Sequence, residues 1–150
     1  MNLYDKQLAT RLGFGGLVPF VFLSLACWVV HPGWLGYFIK AQLFYGIAIL
    51  SFLGGLHWGV ALVLKDRPEG EIRRALLWGV IPSILAWCSM VNVGFGFLVQ
   101  MFGFVAAYQV DKRFYVHYGL PDWFLVLRLQ LTRIIVAALA LTFLAANVRG

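Results

Sequence analysis

The stretch Ser51-Phe-Leu-Gly-Gly-Leu-His-Trp-Gly59 lies inside a largely apolar run from about Tyr37 to Leu64. As a helix with a rise of about 1.5 Å per residue, this run is roughly 42 Å long, which exceeds the ~30 Å hydrocarbon core of a membrane. Small residues recur along one side of it and predict a ridge that another helix can approach closely. This small-residue ridge consists of Ala48, Ser51, Gly55 and Gly59. We therefore predict that this helix is the centre of a membrane bundle.

The composition agrees with a membrane protein and excludes several other classes. Of the 150 residues, 62% are hydrophobic and only 12% are charged, whereas soluble domains have a charged share of about 25%. The net charge of +6 does not indicate nucleic-acid binding, because no basic face is interleaved with polar surface. The length fits one domain, so we predict a single integral membrane domain in contact with the lipid bilayer.

We predict an all-α bundle of five transmembrane helices. Charged loops and Pro/Gly turns separate the apolar segments. The segments are residues 12–30, 37–64, 75–91, 95–110 and 123–147. The first of them is expected to be retained as a span, because no A-x-A cleavage site follows it.

The distribution of basic residues predicts the orientation of the bundle. With five spans, all but two of the 12 Lys and Arg residues fall on one side or at helix ends that enter from it. The exceptions are Lys40 and Arg149. The positive-inside rule then puts the N-terminus inside and the C-terminus outside.

Polar side chains at membrane depth are the strongest candidates for a site. The apolar run 134–146 covers only about 20 Å as a helix, so the residues before it must also enter the membrane. The predicted ligand-binding residues are His57, Tyr108, Arg128, Gln130 and Arg133. They predict a basic pocket for an anionic lipid headgroup, a quinone carbonyl or another small ligand. The structural alternative is that the arginines reach to the inner surface while His57 bonds a backbone carbonyl.

A second group of residues lies near the outer end. Thiol, imidazole and thioether side chains, which are soft metal ligands, are predicted at a similar depth in the membrane there. This leaves open a copper(I) or heme site, a Cys27–Cys88 disulfide, or simple core packing. These donors are Cys27, His31, Cys88 and Met90. Packing is the interpretation that we adopt, so no metal site is predicted and no cofactor is specified. Gly103 is a further predicted helix-packing position in the fourth span.

Catalysis is poorly supported by the sequence. Ser51 and His57 point about 240° apart on one helix and cannot act as nucleophile and base. No Asp or Glu falls within a predicted span, which disfavours proton relay and cation coupling. We therefore predict that the protein is not an enzyme.

Three blocks of the chain resemble one family of small inner-membrane proteins. The Ser51–Gly59 motif is similar to the signature of domain of unknown function 3429, which includes transmembrane protein 69-like proteins. The blocks Leu12-Gly-Phe-Gly-Gly-Leu-Val-Pro-Phe20 and Leu125-Val-Leu-Arg-Leu-Gln-Leu-Thr132 are similar to its flanking regions. The resemblance implies a multi-span protein of a bacterial inner membrane or the mitochondrial inner membrane, with no established activity, and it supplies no catalytic residues.

Two functions are compatible with these observations. The first is a non-enzymatic accessory or assembly partner, in which the small-residue ridge docks helices of another membrane protein or of a second copy. The alternative is a small-ligand, lipid or quinone binding or transport protein with a polar site in the inner half of the bilayer.

Overall fold

A computed structural model describes residues 3–63 and 66–150, and this part of the chain is helical with no strand. The described residues form six helices, which confirms the all-α bundle. The helices are α1 (Leu3–Gly15), α2 (Val18–Val29), α3 (Pro32–Val63), α4 (Glu69–Cys88), α5 (Val93–His117) and α6 (Asp122–Arg149). Residue 64, the predicted end of the second span, lies outside the described residues.

Helix α3 is the centre of the bundle, as its length and apolar character predict. It packs against α2, α4, α5 and α6, while α1 packs mainly against α6. Close approach between α3 and α4 depends on Gly54, where an added Cβ atom would collide with the carbonyl oxygen of Gly79.

The turns follow from local sequence. The break between α1 and α2 falls at Gly16 and Leu17, with Pro19 in the first turn of α2, where its missing N–H costs nothing. The Asn92 side chain caps α5 by accepting a hydrogen bond from the Phe95 amide at 2.8 Å. Gly119, with φ of +69°, ends α5 in the left-handed conformation, and the Leu120 amide donates back to the Tyr115 carbonyl oxygen.

Four segments of the described chain are long and apolar enough to cross a membrane. They are Tyr4–Val29, Pro32–Val63, Val93–His117 and Asp122–Arg149. The predicted span 75–91 overlaps α4, which begins at Glu69 and ends at Cys88. Charges fill the first turns of that helix, and its apolar remainder is only about 21 Å long. Crossing by α4, and the sides on which the two termini lie, therefore stay predictions.

The largest difference from the predicted spans is at the end of α5. The sequence places a loop from Asp111 onward, whereas the helix continues to His117. It continues because Asp111 and Tyr115 stay on its buried face and are both almost fully buried. The first predicted span is also divided, into α1 and α2, because the Gly-rich segment that precedes Leu17 interrupts the helix.

A layer of buried polar side chains crosses the core far from this end of α5. The Gln100 side-chain amide donates to the Leu43 carbonyl oxygen at 2.8 Å and to the Ser89 hydroxyl at 3.1 Å. The Thr142 hydroxyl donates to the side-chain oxygen of Gln42 at 2.5 Å. These bonds connect α3, α5 and α6 and fix their relative register, since an unpaired buried amide costs free energy.

Candidate functional site

Two buried side chains, from α3 and α6, bind the buried carboxylate of Asp111 in α5. Asp111 of α5 accepts a hydrogen bond from His57 Nε2 of α3, with 2.7 Å between the nitrogen and Oδ1. Its other oxygen forms an ion pair with Arg128 of α6. The residues of the His57–Asp111–Arg128 cluster are only 0%, 1% and 3% exposed, in that order. The cluster therefore stabilises a junction of α3, α5 and α6 inside the bundle.

Aromatic rings enclose the imidazole of His57. Tyr115 is stacked on it with 5.5 Å between ring centroids, and Phe114 meets it edge-on at 5.3 Å. Because a carboxylate only accepts hydrogen bonds, Nε2 of His57 carries a hydrogen and donates it to Asp111. The opposite ring nitrogen, Nδ1, has no hydrogen-bond partner within residues 3–63 and 66–150.

The helical period explains how the cluster is assembled. Asp111 and Tyr115 are four residues apart on α5, and Arg128 and Thr132 are four apart on α6, so each pair shares one face. All four side chains are buried. The described part of the chain offers no hydrogen-bond partner to Arg128 Nε or to the Thr132 hydroxyl. The guanidinium thus retains donor capacity beyond its bond to Asp111.

The structure brings together two of the five predicted ligand-binding residues, His57 and Arg128. Gln130 and Arg133 are exposed. Both point away from the cluster, because they lie about 200° and about 140° around α6 from Arg128. Tyr108 is half-buried, and in the described chain no hydrogen bond or ring contact joins it to the cluster. The expected meeting of His57 with Gln130 and Arg133 is therefore wrong. Ligand binding by His57 and Arg128 stays a prediction.

Asp111 is the residue that sequence reasoning missed. The expectation of spans without a carboxylate is wrong for α5, because Asp111 lies inside Val93–His117 and is buried. A signal was present in the sequence. Polar or small residues recur with the helical period at Gln100, Gly103, Ala107 and Asp111, positions that are all buried, and no Gly or Pro occurs between Gly103 and Gly119.

Two apolar cavities lie beside the cluster; α1, α3 and α6 line both of them, and the end of α5 also lines the second. One, the Arg128 cavity, has a volume of about 310 Å³ and is lined by Gly13, Leu53, Leu127, Arg128 and Leu131 among others. The second, the Tyr115 cavity, has about 350 Å³ and is lined by Val60, Tyr115 and Trp123 among others. Ala9, Leu56 and Phe124 line both. Of the described residues that line either cavity, Arg128 is the one charged side chain.

A smaller, polar pocket of about 210 Å³ lies where α4 meets the end of α5. Its walls include Glu71, Arg74, Arg113, Phe114 and Tyr118, and Phe114 separates it from the His57 ring. Burial raises the pKa of the Tyr118 hydroxyl above its ordinary value; Glu71 adds to this rise, and Arg67 opposes it. The pocket therefore differs in character from the two apolar cavities.

The outer group of soft donors does not form a site in this structure. Cys27 is buried, Cys88 is half-buried, and both are free thiols. His31 Nδ1 accepts a hydrogen bond from the Gly33 amide at 3.2 Å, while Met90 is exposed. Among the residues described, no group of three His, Cys, Asp or Glu side chains could hold a metal ion.

The small-residue ridge faces away from the bundle. Ala48, Gly55 and Gly59 are exposed and Ser51 is half-buried, and the described chain places no atom within 4 Å of a Cβ added at Gly55 or Gly59. Gly54, next to Gly55, makes the close contact with α4 instead. Gly103 does pack inside the bundle, where an added Cβ would lie 2.8 Å from Leu50 Cδ2. Docking of another chain on the ridge stays a prediction.

Comparison with known proteins identifies the family of this chain. The family model described as "Protein of unknown function (DUF3429)" matches residues 6–144. The chain belongs to this family. The membership confirms the resemblance carried by the Ser51–Gly59 motif, and it puts the buried Asp111 and Arg128 within the matched region.

Relatives in this family are membrane proteins by name. The chain is 32% identical to Transmembrane protein 69 of Xenopus tropicalis over 87% of its own length and 51% of the relative. It is 24% identical to Transmembrane protein 69 of Mus musculus over 97% of its length and 59% of that relative. The chain thus spans about half of the length of the relatives it matches. No solved structure matches it. The names of these relatives and the long apolar helices of the chain together identify it as an integral, multi-pass membrane protein.

Proposed function

We propose that the protein binds a small amphipathic molecule, of lipid or quinone type, in the cavity beside Arg128. The observation that carries this proposal is a buried arginine in the wall of an otherwise apolar cavity of about 310 Å³. Ligand sites characteristically combine apolar walls with very few polar groups that orient the bound molecule. An ionisable side chain inside a membrane bundle is also a functional candidate by default, because its burial is expensive.

The geometry supports binding better than catalysis. Asp111 holds the Arg128 side chain in place, and a guanidinium has only hydrogen-bond donors to offer. His57 is closed off by Tyr115 and Phe114. The cluster therefore provides a fixed donor at the edge of an apolar volume, and we assign it no nucleophile.

Filling the cavity is expected to abolish binding. Ala9 lines both cavities, so Ala9→Phe should reduce the amount of co-purified ligand at least about tenfold, as a loss of about 1.4 kcal/mol gives. Native mass spectrometry of the protein released from lipid nanodiscs measures the occupancy.

Two variants control for this change. Leu8→Phe places the same ring on the exposed neighbour of Ala9, and Arg133→Ala removes an exposed charge from α6. Both should retain the ligand of the unmodified protein. Equal occupancy in Ala9→Phe and Leu8→Phe would contradict the proposed site.

A second function, an accessory or assembly partner of a membrane complex, is favoured by the exposed small-residue ridge. Membrane helices associate through small residues that let two backbones approach closely. Gly55 and Gly59 have open space around them, flanked by the exposed rings of Phe52 and Trp58. The occupant would be a helix of another membrane protein or of a second copy of this chain. The proposed location is a bacterial or mitochondrial inner membrane, which the charge distribution supports.

Gly55→Leu is expected to reduce recovery of such a partner several-fold, because the branched side chain keeps a second backbone at a distance. The measurement is quantitative co-purification after mild solubilisation, with size-exclusion chromatography to detect a homo-oligomer. Leu62→Ala, on an exposed position of the same helix, is the control. Absence of any stoichiometric partner or oligomer for the unmodified protein would reject this function.

A further inference from the structure

We infer that the molecule bound beside Arg128 is electrically neutral and presents a carbonyl-type oxygen, as in a quinone, a ketone or an ester lipid. This inference rests on the proposed ligand-binding function and specifies its ligand class. It follows from the charges and hydrogen-bonding capacity of the cavity walls.

The charge of Arg128 is already balanced. Its guanidinium is paired with the Asp111 carboxylate, and both groups are almost fully buried. A phosphate or carboxylate added to the cavity would leave one unmatched negative charge in an apolar volume, which is costly. Lys6 lies over the Trp123 ring at 5.7 Å, but its side chain is exposed and screened by its surroundings.

The charged side chain in the cavity wall can donate hydrogen bonds but cannot accept them. Arg128 has donors only, and its Nε has no partner in the described structure. No described side chain that lines this cavity can accept a hydrogen bond, and the guanidinium repels a ligand ammonium. A carbonyl oxygen can accept a charge-assisted hydrogen bond from the guanidinium. Tyr115, which stacks on the His57 ring, lines the neighbouring cavity.

The shape of the cavities completes the description. Ala9, Leu56 and Phe124 are shared by the two volumes, so the apolar walls continue from Arg128 past the Phe124 ring towards Trp123. Such walls suit a hydrocarbon body attached to a single polar group.

Photolabelling with three probes tests this inference. Each probe has the same diazirine-bearing undecyl chain and ends in a methyl ester, a sulfonate or an ammonium group. The full chain in lipid nanodiscs is titrated with each probe, and labelling of peptides from α1 and α6 is quantified. The methyl ester should reach half-saturation at a concentration at least about tenfold lower than the sulfonate, which is ionised at any working pH. The ammonium probe should label least.

The outcomes separate the inference from the function on which it rests. Saturable labelling that Ala9→Phe abolishes, with Leu8→Phe unaffected and the ester preferred, supports both. The same saturable labelling with the sulfonate or the ammonium equal to or better than the ester overturns the inference and leaves ligand binding intact. Labelling that is non-saturable and identical in Ala9→Phe overturns the ligand-binding function itself. Circular dichroism and thermal melting of Ala9→Phe establish that the variant is folded.

Discussion

Asp111→Asn is expected to lower the free energy of unfolding by about 3–5 kcal/mol, because it leaves a buried arginine without its carboxylate partner. The Arg128 side chain is 4% exposed and cannot turn out to solvent without moving α6. The same substitution weakens the bond to His57 Nε2. Reversible unfolding in mixed detergent micelles, followed by circular dichroism, measures the change.

The control for this prediction is Asp66→Asn, which removes an exposed carboxylate from the turn before α4 and should change stability by less than about 0.5 kcal/mol. A double variant gives a stricter test. Arg128→Gln alone leaves Asp111 without its arginine partner, whereas Asp111→Asn combined with Arg128→Gln removes both charges. The double variant should be more stable than the sum of the two single losses predicts. Additive losses, or an Asp111→Asn protein as stable as Asp66→Asn, would show that the ion pair does not hold the bundle together.

The sequence was sufficient to predict the class and the central helix, for clear physical reasons. A chain of this hydrophobicity must satisfy its backbone internally, so long apolar segments become helices. The run that contains Ser51–Gly59 is also the longest of them, and it forms α3 at the middle of the bundle. These features depend on local composition and on the helical period, both of which can be read directly.

The site was harder to predict, because it depends on pairing between distant residues. A buried carboxylate is stable only where a specific partner meets it, and Arg128 is 17 residues from Asp111 in the chain. Without that partner, Asp111 looks like the first residue of a polar loop. Its depth alone makes Arg133 a candidate, yet the direction in which a side chain points decides whether it reaches the core. The separation of five residues between Arg128 and Arg133 rotates Arg133 about 140° away from the cluster.

The choice between two adjacent glycines shows the same limit. Residues Gly54 and Gly55 are chemically identical, and each belongs to a row of small or apolar side chains on α3. Only the position of α4 decides which of them is in contact. The structure puts Gly54 against Gly79, which moves the close contact by about 100° around the helix from the predicted ridge.

Gly54→Ala is therefore expected to destabilise the protein by about 1–3 kcal/mol, since it adds volume where two helix backbones already touch. The new Cβ would collide with the Gly79 carbonyl oxygen and lie 3.5 Å from Pro82 Cβ. A backbone oxygen cannot rotate away as a side chain can, so α3 and α4 must separate. That separation strains the hydrogen bond from Trp58 Nε1 to the Leu76 carbonyl oxygen, now 3.0 Å long.

Gly55→Ala is the matched control, one residue along the same helix. No described atom lies within 4 Å of its added Cβ, and alanine favours a helix over glycine by up to about 1 kcal/mol. Thermal melting in detergent should thus rank Gly55→Ala at or above the unmodified protein and Gly54→Ala well below it. Equal melting temperatures for the two variants would contradict the close packing of α3 on α4. The reverse order would mean that the ridge at Gly55, and not Gly54, carries the tight helix contact.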